Sequence, residues 1–275
     1  MSLLADALGY ARLAEPARFR GAWEQAASLR LRDGDTTVLA GYDQHGRITG
    51  GDPEQMMDAA AAAYVALIAD GTDTLLTAAE HALRRELSRR IRDDLITLGI
   101  VAAGPAIPIA DGAQASPGDL ITCTRNDHTV EAGAPRRTLA NGDLLRIEAV
   151  TGAGLVVRRA LDADRATGQR QWTDRTFLYQ DYGDAELGYA VTDHVAMGRT
   201  VHTGLAVITG TEDRQHAYVA LTRGTDANLA YVFTTSPKRA DPVRMAHDLR
   251  KPIQIALKPT LTAHIPKTHH GLPPK

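Results

Sequence analysis

Residues 52–99 restrict the possible fold more than any other stretch. Asp52 can cap a helix, Pro53 suits its first turn, and Gln55 completes a capping box. The alanine run 59–63 has the highest intrinsic helix propensity, and Gly71 is a natural stop. Asp73–Thr77 then reads as a short buried strand. Thr77 and Glu80 form a second capping box, which predicts a helix from about Ala78 to Leu98 closed by Gly99. Helix, strand and helix in this order predict an α/β layer with a parallel sheet. Upstream, Trp23, Ala26, Ala27, Leu29 and Leu31 give a helical stripe ended near Gly34, and GYDQHGRITGGD reads as a turn-rich linker.

After Pro117 the pattern changes. GDLITCTRND is strand-like, Asn141-Gly142 predicts a hairpin between RTLA and DLLRIEAV, and Thr151–Gly154 is a second turn before LVVRRAL. QRQWTDRTFLY supplies a further strand, and such spacing describes a small β-barrel. The α/β pattern returns near Glu186: LAVI reads as a strand, DRQHAYVALTR as a helix and LAYVF as a strand. From Thr235 onward the chain is rich in Pro and Lys and reads as flexible.

Composition excludes several classes. No apolar run approaches the roughly 18–20 residues of a membrane span, and the first residues lack a basic start followed by an apolar region. Cys123 is the only cysteine, so no intramolecular disulfide forms and the cytoplasm is the expected compartment. A net charge of −2 argues against bulk electrostatic wrapping of nucleic acid, though not against a local groove. His194, His202 and His216 are not at helical spacing, so no metal site is expected. There is no G-x-S-x-G nucleophile elbow.

Two stretches carry the chemistry: GYAVTDHVAMGRTVHTGLAVI at 188–208 and RQHAYVALTRGTDANLAYVF at 214–233. Together they resemble motifs V and VI of superfamily 1 DNA helicases of the RecD/TraA type. LAEPARFRGAWEQAASLRLRDGD and GDLITCTRND…NGDLLRIEAV resemble the helicase part of MobF-type conjugative relaxases. The resemblance covers roughly residues 1–235. It implies a RecA-like parallel sheet flanked by helices, built from 1–117 and 185–235. An SH3-like β-barrel would be inserted at 118–184, and 236–275 would be a flexible tail.

By resemblance Arg223 is the arginine finger and Arg18, in ARFR, a second γ-phosphate contact. Arg223 ends a predicted helix, so its guanidinium can project into an interdomain cleft. Such a finger is worth roughly 10³–10⁵ in rate. The alternatives are a surface arginine near a helix C-terminus and a solvated basic face. Thr192, His194, Gly198 and Thr200 match motif V, where the nucleotide cleft meets the DNA groove; His194 could equally be structural. Arg125 and Asn126 match a position near single-stranded DNA, although Asn126 could simply start a turn. Trp172 and Tyr179 could stack on bases but more readily fill the barrel core.

No G-x-x-x-x-G-K-[ST] occurs, and no acidic Walker B pair. The resemblance places both in a first RecA-like domain that would precede residue 1, with the relaxase nucleophile further upstream. ATP and Mg²⁺ would therefore bind only together with that upstream motor domain, in cis or in trans. Single-stranded DNA is the other expected partner, and the chain alone is expected not to hydrolyse ATP. Val195 and Met197 stand where the family commonly has a polar or small residue and then Gln. That departure favours an alternative: a non-catalytic DNA- or protein-binding remnant.

Overall fold

Strand sequences that are apolar on both faces should lie between two helical layers, and they do. The computed structural model describes residues 18–134, 137–164, 167–179, 182–212 and 214–234. The expected tail lies outside the described residues. Five parallel strands form the central sheet: β1 (Ile48–Gly51), β2 (Thr74–Ala78), β12 (Ala190–Val191), β13 (Val201–Ile208) and β14 (Gly224–Phe233). Their order is β1-β14-β13-β2-β12.

Alternation along β14 sorts the two faces. Leu229 and Tyr231 pack with α3 (Pro53–Ala69) and α4 (His81–Thr97), alongside Tyr64, Leu87 and Ile91. Ala230 and Val232 pack against α1 (Ala22–Arg32) and α2 (Leu39–Gln44), through Ala27, Leu31 and Tyr42. Leu76, Leu87, Ile91 and Leu205 are fully buried, each stabilising the fold by roughly 1.5–3 kcal/mol.

The cap and first turn of α3 form as expected, although among the described residues no Gln55 side-chain bond closes the box back onto the Asp52 amide. Asp52 accepts a hydrogen bond from the Gln55 amide (3.1 Å), Pro53 opens the helix, and Gly71 follows it at φ +77°. The second capping box does not form. Thr77 lies inside β2 and its hydroxyl donates across the sheet to the Leu205 carbonyl (3.3 Å). Glu80 precedes α4 without a side-chain cap bond. The expected linker also differs: it contains the end of α2 and the edge strand β1, which pairs with β14.

Between the halves of this layer lie antiparallel strands. β5 (Leu120–Cys123), β8 (Leu144–Thr151), β9 (Gly154–Ala163), β10 (Arg170–Tyr179) and β11 (Ala185–Leu187) form a sheet ordered β10-β9-β8-β5-β11. β3 (Ile107–Pro108) with β4 (Gln114–Ala115), and β6 (Asp127–Ala134) with β7 (Arg137–Leu139), form separate two-stranded ladders. The predicted Asn141-Gly142 hairpin is corrected here, because β7 and β8 do not pair. The Gly142 amide bonds the Cys123 carbonyl (2.8 Å), and Asp143 accepts from the Ala140 amide (2.8 Å). The turn thus hands the chain from one ladder to another.

The insertion is rooted firmly. Asp119, with no solvent exposure, accepts from Arg92 of α4 (2.9 Å), the Ser116 amide (2.7 Å) and the Tyr189 hydroxyl (2.5 Å). One hydrophobic core runs from Leu76 and Leu205 to Ile121, Leu145 and Val157. Among the described residues no helix is long and apolar enough to cross a membrane.

Candidate functional site

The strongest concentration of expected site residues lies where α6 (Arg214–Ala220) hands over to β14. Arg223 sits between them. Gly224 follows because a Cβ there would lie 2.0 Å from the Ala227 carbonyl oxygen and 2.7 Å from the Gly204 amide nitrogen. Asn228 locks this turn. Its Oδ1 accepts from the Gly224 amide (2.7 Å), while its Nδ2 donates to the Gly224 carbonyl (3.1 Å) and to Glu24 (2.8 Å). Burial pushes the Glu24 carboxyl above its usual range, against the lowering effect of the Asn228 bond.

Arg223 does not project away from the helix as expected. Its Nε donates to the Val219 carbonyl (2.9 Å) and its Nη2 to the Thr222 hydroxyl (2.9 Å), leaving it only 6% exposed. The Val219 carbonyl near the end of α6, which also accepts from the Thr222 amide (3.3 Å), holds the guanidinium folded back onto the helix. Burial, reinforced by the charge of Arg18, pushes Arg223 down to about 10. Arg18 approaches from the other side and donates to the Thr222 carbonyl. Burial lowers Arg18 too. Among the described residues neither arginine has a carboxylate within salt-bridge distance.

Arg18 and Arg223 border a cavity of about 820 Å³, which Arg20, Arg32, Gly198 and Thr200 also line, with two carboxylates, Asp162 and Asp164. The cavity opens at the amino ends of β13 and β14, beside Val201, His202 and Thr225. Open α/β sheets bind their own ligands beyond the carboxyl ends of the strands. At the carboxyl end of β13 the loop is already filled: the Glu212 carboxylate accepts from the Thr209 and Gly210 amides (2.9 Å each).

The other expected residues are spread out. Gly198, at φ +83°, shapes the loop after α5 (Asp193–Ala196), and Thr200 is exposed. Thr192 is the N-cap residue of α5 but makes no side-chain cap bond. His194 is exposed and stands edge-on to His216, with ring centres 6.0 Å apart. Neither lines the cavity. Met197 is 55% exposed, whereas Val195 packs with Leu75, Val191 and Val201. Arg125 pairs with Asp184 (2.6 Å), and Asn126 accepts from the Asn141 amide (2.8 Å). These two lie in the insertion and do not line the cavity.

Trp172 and Tyr179 do not fill the insertion's core. Tyr179 is 67% exposed and stands edge-on to Phe177. Trp172 is half-buried, with the Arg146 guanidinium 4.6 Å above its ring. Register places Arg146, Arg158 and Arg175 side by side on β8, β9 and β10, with Glu148 among them. This sheet face therefore combines arginines with half-exposed aromatics.

Gly224, Asn228 and Arg199 are not among the expected site residues. The Gly-Thr-Asp-Ala-Asn run is a turn signature that could have pointed to Gly224, whereas the locking role of Asn228 depends on Glu24, 204 residues away.

Fold and cavity together define the class: a parallel α/β layer flanked by helices, with two convergent arginines and an antiparallel sheet between its halves. The chain is homologous to a segment of the TraA conjugal transfer proteins. It is 30% identical over 244 residues to TraA of Rhizobium radiobacter, covering 85% of this chain and 20% of that protein. It is 31% identical over 242 residues to TraA of Agrobacterium fabrum, covering 80% and 19%. It thus spans about one fifth of the length of the curated relatives it matches. No family model matches. Similar solved structures include Pif1 helicase from Bacteroides in complex with ADP-AlF3 and ssDNA, with TM-score 0.45 and 12% identity over 78% of this chain and 49% of that one. Pif1 helicase from Candida albicans gives TM-score 0.45 and 13% identity over 82% and 57%.

Proposed function

We propose that this chain is the second motor half of an ATP-dependent superfamily 1 DNA translocase and helicase used in conjugative transfer. The carrying observation is the pair Arg18 and Arg223, both anchored on Thr222, bordering a cavity at the amino ends of the strands. Two guanidiniums that have no carboxylate partner among the described residues suit the terminal phosphate of a nucleotide held by a different domain. They do not suit Mg²⁺, and no phosphate loop is present in the sequence. ATP and Mg²⁺ would be held by that other domain, in cis or in trans, and would supply the phosphoryl-transfer chemistry. Arg223 and Arg18 would stabilise charge spreading onto the γ-phosphate. Gly198 and Thr200 would complete the wall of the cleft.

Single-stranded DNA is the second partner in this reading. Support comes from Arg125, Asn126 and the motif V residues Thr192 and His194, and from the arginine and aromatic face of β8–β10. Residues 118–184 act in it as an inserted SH3-like module. A second reading, a non-catalytic DNA- or protein-binding remnant, is favoured by Val195, which is committed to an apolar cluster rather than to a ligand.

The test is reconstitution. The pure chain should show no DNA-stimulated ATP turnover, and turnover should appear when a separately expressed first motor domain with a phosphate loop is added. Turnover by the pure chain would refute the division of labour. No turnover in the mixture, with both partners folded, would favour the remnant.

A further inference from the structure

We propose that Arg199 is a positioning residue that ties the cleft loop 198–200 to the Arg125–Asn126 loop through the Asn141-Gly142 turn. The inference rests on the reading above, in which the first loop faces the nucleotide and the second faces single-stranded DNA. It supplies a physical link between the two.

Arg199 is flanked by Gly198 and Thr200, which both line the cavity. Its own side chain runs the opposite way and donates through Nη2 to the Gly142 carbonyl. The neighbouring amide, Asn141, donates to Asn126 Oδ1 (2.8 Å). Arg125, next in the chain, pairs with Asp184, whose carbonyl accepts from the Thr124 amide (2.8 Å). The turn itself is stiff: Gly142 sits at φ +87°, its amide is held by Cys123, and Asp143 fixes Ala140.

The choice of arginine is informative. Burial, then the charge of Arg170, pushes its guanidinium down to about 10. A desolvated cation beside another cation costs stability that an apolar side chain of similar volume would avoid. What arginine supplies here is a directed bond to one main-chain carbonyl. Arg170 does not duplicate it. Its Nε donates to Asp73 (2.7 Å) at the amino end of β2, which holds the start of β10, and among the described residues no hydrogen bond joins it to the turn. The chain from Thr200 to Asn126 therefore runs through Arg199.

The test is a double-mutant cycle on DNA binding. Anisotropy of a fluorescein-labelled oligo-dT is measured for the chain, Arg199→Ala, Asn126→Ala and the double variant, each with a urea unfolding curve. Losing one such link should weaken binding about tenfold. The double variant should also be about tenfold weaker, not a hundredfold, because both changes cut one path. Arg199→Lys, which keeps a donor, should bind within about threefold of the parent. Arg199→Met, which keeps the volume, should behave like Ala and covers the case in which the alanine variant does not fold. A purely structural arginine would change the unfolding midpoint and leave binding by the folded fraction unaltered. That result, or multiplicative losses in the cycle, overturns the link while the single-stranded DNA reading stands. If the parent chain does not bind the oligonucleotide, both fall.

Discussion

Truncating Asn228 should cost more than any surface change in this chain. Asn228 has no solvent exposure and holds three groups at once: the Gly224 amide, the Gly224 carbonyl and the Glu24 carboxylate. Asn228→Ala leaves the buried Gly224 N–H without an acceptor, a loss of about 1–3 kcal/mol. It also strips Glu24, itself 1% exposed, of a hydrogen bond that involves a charged partner, about 1.5–3 kcal/mol more. The two losses share one site and should not sum fully, giving about 3–5 kcal/mol. For a unit of this size that is a fall of roughly 6–20 °C in Tm. Urea unfolding followed by circular dichroism reads the value directly, with an unchanged slope showing that the unfolded state is the same. A loss below about 1 kcal/mol would show that water or a rearranged turn replaces Asn228, and that it does not hold the backbone presenting Arg223.

Further outcomes follow from the same geometry. Burial raises the Glu24 carboxyl above its ordinary 4.5, so its ionisation weakens the fold. That group favours the folded state below the unfolded value, and the advantage is lost as pH climbs through the folded one. Glu24→Gln should therefore gain on the parent in unfolding free energy as pH rises from about 4.5 to 7, and a constant difference would refute this. Gly224→Ala places a methyl 2.0 Å from the Ala227 carbonyl oxygen and should unfold at least about 2 kcal/mol more easily in urea; near-neutrality would mean the turn relaxes at little cost. Tyr179→Ala removes an exposed ring and should weaken oligo-dT binding about 5- to 150-fold if it stacks on a base, with unfolding unchanged. Equal affinity would remove Tyr179 from the DNA surface.

Local signals survive folding best. The α3 cap needed only Asp52, Pro53 and Gln55, all within four residues. Thr77 looked like a cap for the same local reason, yet its β-branched side chain sits in a fully buried parallel strand and its hydroxyl finds a partner 128 residues away. Asn141-Gly142 marks a turn correctly, but which strands a turn joins depends on distant partners such as Cys123. Trp172 and Tyr179 are an odd number of positions apart on β10, so regular alternation would set them on opposite faces of the sheet. Register shifts between Arg170 and Arg175 remove that alternation, and the buried positions of the strand are Thr173 and Leu178 instead. At the site, motif spacing brought Arg18, Arg223, Gly198 and Thr200 to one cavity. The direction of the Arg223 guanidinium was not legible, since it depends on where α6 ends and leaves the Val219 carbonyl and the Thr222 hydroxyl within its reach.

Arg223 is proposed to act on a nucleotide held by another domain. Single-turnover ATP hydrolysis by the chain mixed with a first motor domain and oligo-dT tests it most directly. Arg223→Ala should lower the rate by roughly 10³–10⁵ while nucleotide binding by the partner domain persists. A rate equal to that of the unaltered chain would contradict the claim.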